Sequence, residues 1–159
     1  MLPDLDIDLP IVSGDLTLPD SPPDYPLCDV AQYLTTYRYP GRPGTTTWIY
    51  AHARAGMFLP LLEASEIKDG ASLIGLVAHL YTDAGLRYTY RIATVERHAT
   101  DRSSAAGVPA DDGRLVLQTS EGPKGTVPKL QIVAELVESQ ASTIELSRPP
   151  AAPRACYLR

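Results

Sequence analysis

Two long β-type runs, Ser72–Thr82 and Leu86–Thr100, are separated only by Asp83-Ala84-Gly85. That three-residue break has turn chemistry, so the runs read as one hairpin with unusually long arms. In the second arm Tyr88, Tyr90, Ile92 and Thr94 share one face, and Arg87, Thr89 and Arg91 share the other. A half-apolar hairpin of this length needs further strands to cover it. The sequence offers them. Leu27–Leu34 alternates loosely, Thr45–Ala51 is β-branched and ends at His52, and Arg114–Thr119 and Lys129–Val137 are apolar runs. Met57–Ala64 carries Leu and Ala at helical spacing and fits one or two helical turns. Asp101–Gly113 is polar and reads as a long surface loop of the kind that carries specificity. The fold class is therefore all-β: a closed or nearly closed antiparallel barrel of about six to eight strands with one short helix.

Fifteen prolines bear on the boundaries, because nine of them fall in 1–26 and 148–159. Proline fixes φ and removes a donor, which keeps such segments extended. The expected organisation is an extended Pro/Asp-rich entry over 1–26, a barrel domain over 27–147, and a Pro-rich tail over 148–159. Asp4, Asp6, Asp8, Asp15, Asp20 and Asp24 alternate along the entry but lack the glycine and terminal glutamate of a calcium loop. They read as a solvated segment. No apolar run reaches the length needed to span a bilayer, and no signal peptide is evident.

The formal charge of −5, without clustered Lys and Arg, argues against nucleic acid as partner. The glycines do not form a phosphate loop, and no ligand set for a metal is apparent, so neither metal nor cofactor is expected. Cys28 and Cys156 flank the barrel. Two thiols do not complete a four-ligand zinc site. They read as two unpaired thiols, because the tail has no obvious anchor; a disulfide in an oxidising compartment is the alternative.

Three segments in order resemble sortases. Pro43-Gly44-Thr45 leads into Ile49-Tyr50-Ala51-His52-Ala53-Arg54, with Phe58 and a Leu-rich turn behind it. Leu115-Val116-Leu117-Gln118-Thr119-Ser120 is similar to the family strand that ends in the catalytic cysteine, with Val116 where that strand has its first threonine. Lys129-Leu130-Gln131-Ile132-Val133 is similar to the final strand, which starts at the catalytic arginine. Ser120 lies 68 residues after His52 and nine before Lys129, which suits the family order. The resemblance implies a peptide or protein ligand, thiol acyl transfer on an extended sorting signal, and a place in the bacterial cell envelope.

Of the implied triad only His52 matches; Ser120 replaces the thiol and Lys129 the guanidinium. A hydroxyl ionises far less than a thiol and needs a base as it attacks. His52 is the candidate base if its ring reaches Ser120 within about 2.6–3.2 Å. Lys129 keeps positive charge for an oxyanion but loses the planar fork of arginine. Leu117, Thr119 and Arg54 are the candidate substrate contacts. Each catalytic candidate also has a structural reading: a hydrogen-bonded histidine, a turn serine, a solvated lysine. Three functions follow: a Ser120-dependent transpeptidase or peptidase, a catalytically inactive peptide-binding barrel, or a structural surface domain.

Overall fold

The computed structural model describes residues 1–21, 25–122 and 127–156. Pro22, Pro23, Asp24 and Pro123, assigned from sequence to the extended entry and a Gly-Pro turn, lie outside the described residues. Seven strands form one curled sheet: β1 (Ile11–Ser13), β2 (Ala31–Tyr33), β3 (Thr46–Tyr50), β4 (Val77–Thr82), β5 (Leu86–Ala99), β6 (Arg114–Ser120) and β7 (Lys129–Ala141). Their order is β1-β2-β3-β6-β7-β5-β4. Helix α1 spans Leu59–Glu66, and a single turn, α2, spans Ile144–Ser147. No helix among the described residues is long and apolar enough to cross a membrane.

The expected hairpin is β4–β5, with Thr82 opposite Leu86. Gly85 closes it at φ +74°, a conformation that costs glycine little, and its N–H donates to the Thr82 carbonyl at 3.0 Å. The sheet is not wholly antiparallel as expected. β1 pairs with β2, and β3 with β6, in parallel. The second pairing matters here. A parallel neighbour brings the C-terminal ends of two strands to the same edge, and those ends carry His52 and Ser120.

Strand alternation sorts the side chains into two clusters. Ile49, Leu115, Leu117, Ile132, Ala134, Leu80, Tyr90 and Ile92 point into the barrel and form the main core with Met57, Phe58 and Leu61. Each such aliphatic side chain, when fully buried as Ile132 is, contributes about 1.5–3 kcal/mol. On the outer face Trp48, Val116 and Val133 pack beneath Ala105 and Val108. The 101–113 segment thus roofs an apolar patch, although sequence reads it as a solvated loop.

The expected separation of entry and tail from the domain does not describe the packing. Leu2 and Ile7 are buried in the main core, and Ile11–Ser13 is the first strand. Cys28 and Cys156 are also buried there and form a disulfide, their Cα atoms 5.1 Å apart, in place of two free thiols. Arg154 provides the anchor that the tail lacks in sequence. Its backbone bridges Cys28, and its guanidinium contacts the Asp29 carboxylate.

Candidate active site

The β3–β6 register places Tyr50 beside Gln118. The ladder continues one residue further: the Ala51 N–H donates to the Gln118 carbonyl at 3.2 Å, and the Thr119 hydroxyl donates to the Ala51 carbonyl at 2.8 Å. His52 and Ser120 therefore leave adjacent strands at one mouth of the barrel. On the other side of β6, Ser120 lies directly opposite Lys129. The Lys129 ammonium Nζ donates to Ser120 Oγ at 2.7 Å. Burial holds the Lys129 pKa below the ordinary lysine value. Charge is harder to sustain where water is thinned out.

His52 is fixed by the turn that follows it. Its carbonyl accepts from the Arg54 and Phe58 N–H groups, both at 3.0 Å, and Gly56 makes the turn at φ +73°. The ring stacks obliquely on Tyr25, with centroids 4.9 Å apart, and Nε2 lies 2.7 Å from the Pro26 carbonyl. A carbonyl only accepts, so Nε2 carries the proton and Nδ1 the lone pair of the neutral ring. Burial lowers the His52 pKa first; the Pro26 carbonyl opposes this, and the Arg54 and Lys129 charges add to the lowering. His52 is thus within electrostatic reach of Lys129. Among the described residues no hydrogen bond joins its ring to Ser120; the partner in contact with Ser120 is Lys129.

Among the described residues no carboxylate orients the imidazole. Glu121, the acid next to Ser120, turns the other way. It accepts from the His98 N–H and contacts His98 Nδ1, both at 2.8 Å, and lies 3.4 Å from Arg97 Nε. A bulge in β5 presents these partners: the register breaks between Glu96 and Ala99, and His98 stands at φ +60°. The Glu121 N–H donates to the Pro128 carbonyl at 3.1 Å, closing the base of the β6–β7 connection beside Ser120.

The three predicted substrate contacts are placed differently from expectation. Leu117 and Thr119 have the opposite parity to Ser120 and point into the barrel, at 4% and 2% exposure. Thr119 spends its hydroxyl proton on Ala51. Arg54 lies against the disulfide, Nη1 being 3.2 Å from Cys28 Sγ. Next to Ser120 and Lys129 on the outer face, two residues along each strand, stand Gln118 and Gln131, opposite one another. Gln131 Nε2 donates to the Asp101 carbonyl at 2.6 Å and to Gln118 Oε1 at 3.1 Å, and its own oxygen accepts from Ser104. This amide pair, with Gln131 buried and Gln118 half-buried, fastens the 101–104 segment to the strands just behind the site. Sequence held the signal, because the glutamines lie two residues from Ser120 and Lys129.

No family model matches the sequence, and no curated protein matches it. Solved structures do. Sortase A of Listeria monocytogenes superposes with a TM-score of 0.63 at 20% identity, over 91% of this chain and 89% of that one. Sortase C1 of Streptococcus agalactiae gives a TM-score of 0.65 at 17% identity, over 87% of this chain and 65% of that one. Sortase C of Streptococcus pneumoniae, described in terms of its catalysis and pilin substrate specificity, gives 0.61 at 18% identity, over 90% and 68%. At such identities the likeness concerns architecture alone. The chain has a sortase-like β-barrel fold.

Proposed function

We propose that this protein acts on an extended peptide through acyl transfer to Ser120, with Lys129 as the proton acceptor. The observation that carries the reading is the 2.7 Å contact between Lys129 Nζ and Ser120 Oγ. In its charged form the amine donates to Ser120. In its neutral form, favoured by burial, it takes the hydroxyl proton as Oγ bonds to the carbonyl carbon. When the C–N bond breaks, the leaving amine receives that proton and the acyl group remains on Ser120 as an ester. Water or an incoming amine then attacks the ester by the same proton route. His52 lines the mouth as a neutral ring and contributes a polar contact to the bound chain.

A peptide laid along the outer face would gain from backbone hydrogen bonds and side-chain pockets. The streptococcal sortase C with its pilin substrate supports that class of ligand. The Cys28–Cys156 disulfide supports an extracytoplasmic setting, since such bonds persist where the surroundings are oxidising. The second reading is peptide binding without turnover. It is favoured by the Pro26 carbonyl, which occupies His52 Nε2, and by the loss of both thiol and guanidinium.

A fluorophosphonate probe tests the proposal. The native protein labels, Ser120→Ala does not, and Lys129→Arg loses about 100-fold or more in rate, because arginine gives up no proton near neutrality. Retained labelling in Lys129→Arg would return Lys129 to electrostatic support. A folded native protein that never labels moves the assignment to binding. Ser120→Cys with a Leu-Pro-x-Thr-Gly peptide then asks whether the groove accepts a sorting signal, read as thioester formation or cleavage.

A further inference from the structure

We propose that the open seam between β1 and β4 is a second binding site, which takes an extended peptide bearing a basic side chain as an eighth strand. The two edge strands do not pair with each other. Between them lies a cavity of about 340 Å³ whose lining includes Ile11, Val12 and Ser13 on one side and His79, Tyr81 and Asp83 on the other. None of His52, Ser120 or Lys129 lines it. Ile49 reaches it from the inner face of the barrel, whereas Ser120 has the outward parity at the end of its strand.

The occupant follows from the backbone. His79 makes both of its outward bonds to Met1, at 2.9 and 3.0 Å. Main-chain groups alternate along a strand, so the Tyr81 N–H and C=O also face the seam. On β1, the pairings of Pro10 with Ala31 and of Gly14 with Tyr33 fix the residues that face β2. Ile11 therefore faces the seam. None of these four groups on Ile11 and Tyr81 has a partner among the described residues. Following the pairings through the sheet, β1 and β4 run in the same direction, so one inserted strand pairs with both in the same sense. Edges with unmet donors and acceptors are templates for strand addition, and here two face one gap.

The side chains narrow the class. The cavity lining holds Asp8 and Asp83 and no lysine or arginine. The cation there, the Met1 amino terminus, is engaged by the His79 carbonyl and by the charge of Asp8, which leaves the second carboxylate in excess. Ile11, Tyr39 and Leu146 give it an exposed apolar rim. A peptide alternating β-branched residues, with one central basic residue, matches both features.

The probe is a pool of seven-residue peptides with a central lysine and Val, Ile, Thr, Ser or Tyr elsewhere, passed over the full chain. Peptides are expected to be retained, and N-methylation at either alternate set of residues should reduce retention at least tenfold. An inserted strand uses both of its edges, whereas a strand added to one edge tolerates one of the two sets. Replacing the central lysine by glutamate, or making Asp8→Asn with Asp83→Asn, should weaken retention by several-fold. Ser120→Ala should leave it unchanged, which separates this site from the mouth. A pool with no retained member, or retention that survives N-methylation, overturns the proposal. Self-association that Ile11→Arg abolishes, with no peptide bound, overturns it in favour of a second copy.

Discussion

The β6–β7 ladder and the β1 flank hold their chains by different means. Along β6–β7 seven consecutive residue pairs stay in register, from Arg114–Glu135 to Ser120–Lys129. Ser120 and Lys129 end a backbone ladder and are backed by the Gln118–Gln131 amide contact. The flank has a three-residue strand, the isolated Cys28–Arg154 bridge and one covalent bond. Hydrogen-bonded register is what fixes the position of Ser120 and Lys129; the ends of the chain need a cross-link because their ladders are short.

The largest break in that contrast comes from removing the cross-link. Cys28 and Cys156 are separated by 128 residues, and closing so long a loop restricts the unfolded chain by about 5 kcal/mol on a chain-entropy model. Cys28→Ser with Cys156→Ser should lower the denaturant midpoint strongly while leaving the Ser120–Lys129 ladder intact. Amide exchange should then rise in β1 and β2 well before β6 and β7. Uniform loss of protection would show that the flank and the ladder are one unit.

A smaller effect sharpens the ladder itself. If Lys129 accepts the proton, labelling at Ser120 rises about tenfold per pH unit and levels off below the ordinary lysine value, since burial lowers its pKa. The sign separates the two bases. Burial lowers His52 as well, so a His52-driven rate would rise only at acid pH and be flat above about 6.5. A profile of that shape removes Lys129 from the role.

The smallest expected change is at Glu121→Gln. It weakens the contacts to Arg97 and His98 that hold the base of the β6–β7 connection, so labelling should slow by a few-fold with Ser120 and Lys129 unaltered. Glu121→Asp should recover part of the rate. Identical rates in all three proteins would confine Glu121 to stability.

Much of this was legible in the residues, for reasons that also explain the misses. Period-two alternation and turn chemistry locate the β4–β5 hairpin, and the ends of Thr45–Ala51 and Arg114–Thr119 point to His52 and Ser120. The same alternation, applied one step further, excludes Leu117 and Thr119 from the face of Ser120 and selects Gln118. The disulfide was not legible, because nothing local to Cys156 announces a partner at the opposite end of the chain. The entry was misjudged because its prolines outweighed Leu2 and Ile7, whose burial depends on neighbours remote in sequence. The acceptor of His52, a main-chain carbonyl at Pro26, has no side-chain signature at all.

That carbonyl has a consequence for how the mouth operates. The imidazole is parked: its one N–H is committed to Pro26, two residues from the cystine. Under the proposed function, swinging the ring toward a bound peptide exchanges one acceptor for another, so peptide entry and the Pro26 contact compete for a single proton. The segment that the cystine tethers sets the terms of that exchange.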